Sequence, residues 1–94
     1  MDTIQPSPIF EAVLRELAES NSVRSLDAIK TDEGWRLEAS LRSGSRRVLT
    51  TTRGRARTWV RLDVLTAYVE REYQATELSV RMKDTGRSMA SAVS

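Results

Sequence analysis

One stretch of the chain, residues 35–42, alternates strictly between apolar and polar side chains. In order, the residues are Trp35, Arg36, Leu37, Glu38, Ala39, Ser40, Leu41 and Arg42. Because successive side chains of a strand point to opposite faces, this alternation predicts a strand with one buried side and one solvent-facing side. The apolar side needs a second layer to cover it, and a helix packed on the sheet supplies that layer in an α+β fold.

Turn-forming residues on both sides of this strand predict antiparallel neighbours. Gly34 closes a turn at residues 31–34, and Gly44 lies at the centre of a tight turn at residues 43–45. Residues 25–30 alternate imperfectly and predict a short strand before the first turn, while the β-branched residues in 46–52 predict a return strand after the second. Further strands are predicted at residues 56–61, after a turn around Gly54, and at residues 78–82.

Two segments carry apolar residues at helical spacing. Near the N-terminus, Ser7 and Pro8 predict a helix start, since serine caps helices and proline fits the first helical position. Apolar residues at steps of three and four continue this pattern through residues 9–17, and the same spacing recurs from Leu62 to Tyr73. The predicted fold is therefore α+β: an N-terminal helix, an antiparallel meander of about four strands, one helix packed across a sheet face, and a final C-terminal strand.

The length and composition limit the organisation and the chemistry of the chain. Its 94 residues predict a single domain over residues 1–82, and residues 83–94, small, polar and without apolar period, predict a disordered tail. The chain has no histidine and no cysteine, which excludes disulfides, thiolate zinc sites and histidine-based triads. We therefore expect no enzymatic activity, no cofactor and no metal. No apolar run reaches membrane-spanning length and no signal-peptide pattern is present, so we expect a cytoplasmic protein without membrane contact.

Positive charge is concentrated in residues 42–61. This segment contains seven arginines and no acidic residue, whereas the whole chain has a net charge of only +2. Around Gly54 the arginines alternate with other residues and share one parity. If the segment is extended, same-parity side chains lie in a row on one sheet face, about 6–7 Å apart. The members of this row are Arg53, Arg55, Arg57, Trp59 and Arg61.

Such a row predicts contact with nucleic acid. A guanidinium group pairs with a phosphate through two parallel hydrogen bonds, and an indole ring stacks on bases. We therefore predict that an arginine-rich double hairpin binds duplex DNA. If four to six phosphates are neutralised, the log–log dependence of affinity on salt has a slope of about −3 to −5. The predicted contact residues are Arg46, Arg47, Arg53, Arg55, Arg57, Trp59 and Arg61.

Two other interpretations of the arginine segment remain open. A charged strand face is commonly the solvated side of a sheet, and arginines on an edge strand discourage unwanted pairing. Alternatively, the basic face or an open strand edge binds an acidic protein partner, or a second copy of the chain to form a homodimer. The acidic N-terminal helix, with Glu11, Glu16 and Glu19, also offers an internal partner for part of the basic face.

Four short segments carry a resemblance to a known family. They read "SVRSL", "GWRLEASLRSG", "RRVLTTTRGRARTW" and "RLDVLTAYVEREY". Together they resemble the small plasmid partition-associated accessory proteins of the ParC type, over residues 22 to about 82. The chain departs from that pattern at Tyr73, where the family is expected to have a helix-ending glycine. The resemblance implies a role in plasmid partition or maintenance, beside a partition protein or another plasmid protein, and it implies no catalytic residue.

Overall fold

The computed structural model describes residues 7–73 and 77–82, which form six strands and two helices. In chain order they are β1 (Ser7–Phe10), α1 (Glu11–Glu19), β2 (Val23–Thr31), β3 (Gly34–Leu41), β4 (Arg46–Thr50), β5 (Thr58–Trp59), α2 (Leu62–Tyr73) and β6 (Ser79–Met82). The predicted α+β class is confirmed. The predicted tail, residues 83–94, lies outside the described residues.

The strands form one mixed sheet around the alternating strand β3. β2, β3 and β4 make the antiparallel meander that the two glycine turns predict. β1 pairs in parallel with β4, and β6 pairs in parallel with β2, so these two strands form the edges in the order β1-β4-β3-β2-β6. β5 pairs with β3 at Trp35 and Arg36, ahead of the residues of β3 that pair with β4.

The hydrophobic core lies between one face of the sheet and the two helices. The register of the β2–β3 hairpin places Ala28 opposite Leu37, and both side chains are fully buried. From the helices, Leu14 and Leu65 are buried against this face. Each leucine side chain removed from water in this way contributes about 1.5–3 kcal/mol. The opposite face of the sheet carries the polar members of the alternating strand.

The predicted start of the first helix is wrong. Ser7 and Pro8 belong to β1, and the helix begins at Glu11, after Phe10 in an extended conformation. Parallel pairing with β4 supplies the backbone partners of this segment, and Ile9 is buried opposite Leu49 in the register. A proline is tolerated there because β1 is an edge strand, where one missing N–H breaks no central ladder.

Both helices are short, with nine residues in α1 and twelve in α2. In the part of the chain that the structure describes, no helix has the length and apolar character needed to cross a membrane. α1 ends at Glu19, and Asn21, two residues later, has a φ of 62°, which lies in the left-handed region. The N–H of Ser22 donates to the carbonyl of Leu17 at 2.8 Å and the N–H of Asn21 to that of Ala18 at 3.1 Å, which satisfies two carbonyls of the last turn.

Candidate nucleic-acid interface

The segment between β4 and β5 is a folded-back loop, which we call the arginine loop (residues 51–57). The N–H of Thr51 donates to the carbonyl of Arg55 at 2.7 Å, and the N–H of Gly54 donates to the carbonyl of Thr51 at 2.9 Å. Gly54 has a φ of 87°, which reverses the chain at the tip. Farther down, the N–H of Arg57 donates to the carbonyl of Leu49 at 2.9 Å, closing the loop on β4.

The predicted row of arginines on one sheet face is therefore wrong. A single row requires an extended chain from residue 53 to residue 61, but within that range only Thr58–Trp59 is a strand. A turn at Gly54 breaks the alternation, so side chains of equal parity no longer share a face. The predicted strand at residues 56–61 is correspondingly reduced to β5.

Three of the predicted residues nevertheless meet at one surface. An open depression of about 570 Å³ is lined by Thr51, Arg53, Arg55, Ala56, Arg57 and Thr58. Three guanidinium groups and two hydroxyl groups lie on its walls, and none of the described residues that line it carries a carboxylate. Arg53 and Arg55 are exposed, and no acidic side chain within residues 7–73 and 77–82 forms an ion pair with either. These two arginines are the uncompensated positive charge of the loop.

Arg57 is held in place from three sides. The central carbon of its guanidinium group lies 4.8 Å from the ring centre of Trp59 and 4.9 Å from that of Tyr68. Its Nη1 is 3.8 Å from Oε2 of Glu11, and the hydroxyl of Tyr68 donates to the same oxygen at 2.5 Å. Glu11 thus serves as the internal acidic partner that the N-terminal helix offers, and it neutralises part of the charge of Arg57.

Trp59 is part of the core and not of the surface. Its side chain is 8% exposed, and its ring centre lies 5.1 Å from that of Tyr68 on α2. A ring that is buried in this way has no open face on which a base could stack. Its contribution to the arginine loop is that its ring packs against the guanidinium group of Arg57.

The three remaining predicted residues lie away from the depression. Arg61, at the start of α2, makes a bidentate pair with Asp63, at 3.1 and 2.7 Å. Arg46 lies on the open sheet face and donates to Glu38 at 2.5 Å and to Asp27 at 3.3 Å. The hydrogen bond to Glu38 outweighs desolvation and raises the pKa of Arg46.

Arg47 points to the opposite face of the sheet from Arg46, because neighbouring residues of a strand alternate. It borders an apolar groove beside α1. Its Nε atom is buried and has no hydrogen-bond partner in the described residues. The predicted double hairpin is thus divided among the loop, the open face, the groove and the start of α2.

Two buried carboxylates on the open sheet face were not predicted as functional or structural sites. Asp27 and Glu38 are opposite each other in the β2–β3 register and are 7% and 4% exposed. Glu38 binds Arg36 at 2.6 Å as well as Arg46, and Asp27 binds Arg81 at 3.2 Å. The sequence feature that could have indicated this pair is the turn ending at Gly34. This turn sets the register of the β2–β3 hairpin, which places residue 27 opposite residue 38. In this network the two carboxylates form ion pairs with three arginines. Little of the positive charge on the open face is therefore left without a neutralising carboxylate.

An acidic turn borders the arginine loop. A second depression, lined partly by Asp32, Glu33 and Arg36, shares Ala56 and Thr58 with the first. Within the described residues no group of three or more acidic side chains is placed to hold a metal ion. The acidic turn thus adjoins the arginine loop at Ala56 and Thr58, whereas Arg53 and Arg55 line only the first depression.

Comparison with protein-family models, with curated proteins and with solved structures finds no match for this chain. The resemblance to plasmid partition-associated proteins therefore stays a prediction from short sequence segments. A functional assignment has to rest on the geometry of the arginine loop.

Proposed function

We propose that the protein is a non-catalytic accessory protein that binds nucleic acid, with duplex DNA as the ligand, through the phosphate backbone. The observation that supports this proposal is the open depression of the arginine loop. Arg53, Arg55 and Arg57 line it together, and the described part of the chain contributes no carboxylate to its walls. The absence of histidine and cysteine from the chain supports the non-catalytic part of the proposal.

The chemistry of the loop suits phosphate better than bases. Each guanidinium group presents a planar fork of N–H donors that matches two phosphate oxygens, and the hydroxyls of Thr51 and Thr58 add single donors. Contacts to phosphates position a protein on DNA but carry no sequence information. We therefore expect binding that is weak and independent of sequence, with two or three phosphates contacted instead of the four to six that an extended row would reach.

The biological setting belongs to the same proposal. We infer a cytoplasmic role in the partition or maintenance of a bacterial plasmid or mobile element, and the resemblance of residues 22 to about 82 to partition-associated accessory proteins supports it. Backbone binding without sequence preference is compatible with such a role, because a partner protein can supply the specificity. The arginine loop would then add affinity for the DNA on which that partner is already placed.

A pair of charge-matched variants tests the assignment. Arg53→Ala with Arg55→Ala removes the two uncompensated charges of the loop. Arg24→Ala with Arg42→Ala removes two exposed arginines from other elements and changes the net charge equally. In fluorescence anisotropy with a labelled 20-base-pair duplex at low salt, we expect the loop variant to bind roughly tenfold more weakly than the wild type, and the control variant to bind within about twofold of it.

Equal losses in the two variants would show that only net charge matters and would overturn the assignment. So would the absence of wild-type binding at about 100 μM protein, the weak limit of non-specific DNA binding. Thermal unfolding of each variant establishes that both chains remain folded.

A further inference from the structure

An apolar groove runs between the sheet edge and α1, and it shares no lining residue with the depression of the arginine loop. It is lined by Pro8, Ile9, Phe10, Val13, Leu17, Leu41 and Arg47, and its volume is about 250 Å³. Ile9 and Leu41 form a buried floor, while Phe10 and Val13 on the rim are 48% and 46% exposed. Two large apolar side chains next to an apolar groove form an exposed hydrophobic surface that is not used within the described part of the chain.

Arg47 gives the groove a polar feature. Among the described residues that line the groove it is the one charged side chain, and its buried Nε has no partner within residues 7–73 and 77–82. Nε itself is shielded from solvent, but the residue as a whole is partly exposed, so an incoming acceptor has to bind the guanidinium group through its terminal nitrogens. A carboxylate is the acceptor that also matches the charge and the planar shape of a guanidinium group.

The size of the groove indicates what kind of ligand fits. Sites for small molecules usually enclose about 300–1,000 Å³, and this groove is below that range. It has room for one or two apolar side chains, which is how the central anchors of protein interfaces are held. Pro8 lacks an N–H, so the β1 edge is poorly suited to adding a complete strand from a partner, and recognition depends on side chains.

We propose that this groove is a docking site for a partner protein, which inserts an apolar side chain beside α1 and places an adjacent aspartate or glutamate on Arg47. The acidic residues Glu16 and Glu19 line a separate depression on the far side of Val13. They therefore leave the Arg47 end of the groove as the favourable place for the partner's carboxylate. The site is independent of the arginine loop.

A peptide selection tests the proposed ligand chemistry. Random heptapeptides displayed on phage are selected on the immobilised full-length chain. We expect enriched peptides to combine Leu, Ile, Met or Phe with Asp or Glu within two positions. On the Arg47→Met chain the apolar preference should persist and the acidic preference should disappear, whereas Arg42→Met, an exposed arginine outside the groove, should leave both unchanged.

Affinity measurements with one selected synthetic peptide complete the test. Val13→Lys places a charge in the groove, and Ala12→Lys places the same charge one residue earlier on the same helix, outside the groove. We expect at least about tenfold weaker binding for Val13→Lys and a change within about twofold for Ala12→Lys. The loop variant Arg53→Ala with Arg55→Ala should bind the peptide like the wild type, so failure of the DNA proposal leaves this site intact.

Three results would overturn the docking site. One is a selection without enrichment on the wild-type chain, and another is an acidic preference that survives Arg47→Met. The third is peptide binding that Val13→Lys and Ala12→Lys weaken equally. Since Val13 is half-exposed on a helix surface, its substitution tests the site even if the Arg47 variant does not fold.

Discussion

Arg57 lines the depression that we propose binds DNA, and it also makes contacts that stabilise the fold. It stacks against Trp59 and Tyr68 and pairs with Glu11, so its guanidinium group is fixed relative to both helices. Arg53, by contrast, is exposed in the same loop. The two arginines are chemically identical, but their surroundings give them different contributions to folding.

We predict that Arg57→Met destabilises the fold and that Arg53→Met does not. Stacking of a cation on aromatic rings at a partly exposed site is worth about 0.5–1 kcal/mol, so the loss at Arg57 should be about 1 kcal/mol. At Arg53 the change should stay within about 0.5 kcal/mol, as for most surface substitutions. Urea unfolding followed by tryptophan fluorescence measures both. Equal midpoints for the two variants would contradict the structural role of Arg57.

Tyr68 predicts a dependence of stability on alkaline pH. Burial, followed by the hydrogen bonds to Glu11 and Tyr73, raises the pKa of Tyr68 above its usual value of 10.0. Because the folded chain keeps this hydroxyl protonated, its contribution is complete below pH 10 and is lost as the pH rises further and the unfolded chain ionises. Each pH unit above 10 then lowers the free energy of unfolding by up to about 1.4 kcal/mol for this group.

Tyr68→Phe separates this contribution from the rest of the chain. The variant should be less stable than the wild type by about 1–2 kcal/mol at pH 7, because Glu11 and Tyr73 each lose a hydrogen-bond partner. Its stability should also fall less steeply between pH 10 and pH 11.5, as measured by urea unfolding. Parallel pH profiles for the two proteins would be inconsistent with a hydroxyl that stays protonated in the folded state.

At the scale of elements, the turn between β2 and β3 is fitted closely to β5. Gly34 has a φ of 121°, and a Cβ built there would lie 2.6 Å from the backbone carbonyl oxygen of Trp59. Gly54 at the tip of the arginine loop has a φ of 87°, and a Cβ there would meet open space. Gly34 is therefore needed both for its backbone conformation and for the approach of a neighbouring strand.

We predict that Gly34→Ala is clearly more destabilising than Gly54→Ala. The first substitution combines left-handed backbone strain with a clash against main-chain atoms and should lower the free energy of unfolding by about 2 kcal/mol or more. The second introduces strain alone and should lower it by about 1 kcal/mol. Chemical denaturation of both variants measures the difference. Similar losses would mean that β5 does not pack against the turn as described.

The elements that were predicted well are those governed by local patterns. Strict alternation fixed β3 to within a residue, and the spacing of apolar residues from Leu62 to Tyr73 marked both ends of α2. The errors arise where pairing with a strand that is distant in the sequence determines the secondary structure of a segment. Ile9 is buried by parallel pairing with β4, about forty residues later, and no local pattern distinguishes this from a helix start.

The candidate site was predicted only in part, again because contacts between distant residues determine its arrangement. The concentration of arginine is visible in the sequence, and three of the seven predicted residues line one depression. Their arrangement is not visible, since it depends on the fold-back at Gly54 and on the pairing of Arg46 with carboxylates of β2 and β3. Composition locates a charge along the chain, but register decides whether that charge is free or neutralised.

At the scale of the whole molecule, the proposed function depends on how charge is distributed. The net charge is +2, and internal carboxylates neutralise several of the arginines in residues 42–61. Of the arginines that no described carboxylate neutralises, Arg53 and Arg55 lie together at the tip of the arginine loop, so the positive field that the DNA proposal uses is local. A field of this size favours weak association with a polyanion at low salt and is screened within about 10 Å at 0.1 M salt.

The salt dependence of DNA binding tests the central claim most directly. Affinity for a labelled duplex is measured between about 20 and 200 mM salt, for the wild type and for Arg53→Ala with Arg55→Ala. If two or three phosphates are neutralised by the loop, the wild-type log–log slope is about −2 to −3, and the variant slope is smaller in magnitude by about 2. A wild-type slope near zero, or the same slope in both proteins, would contradict phosphate binding by the arginine loop.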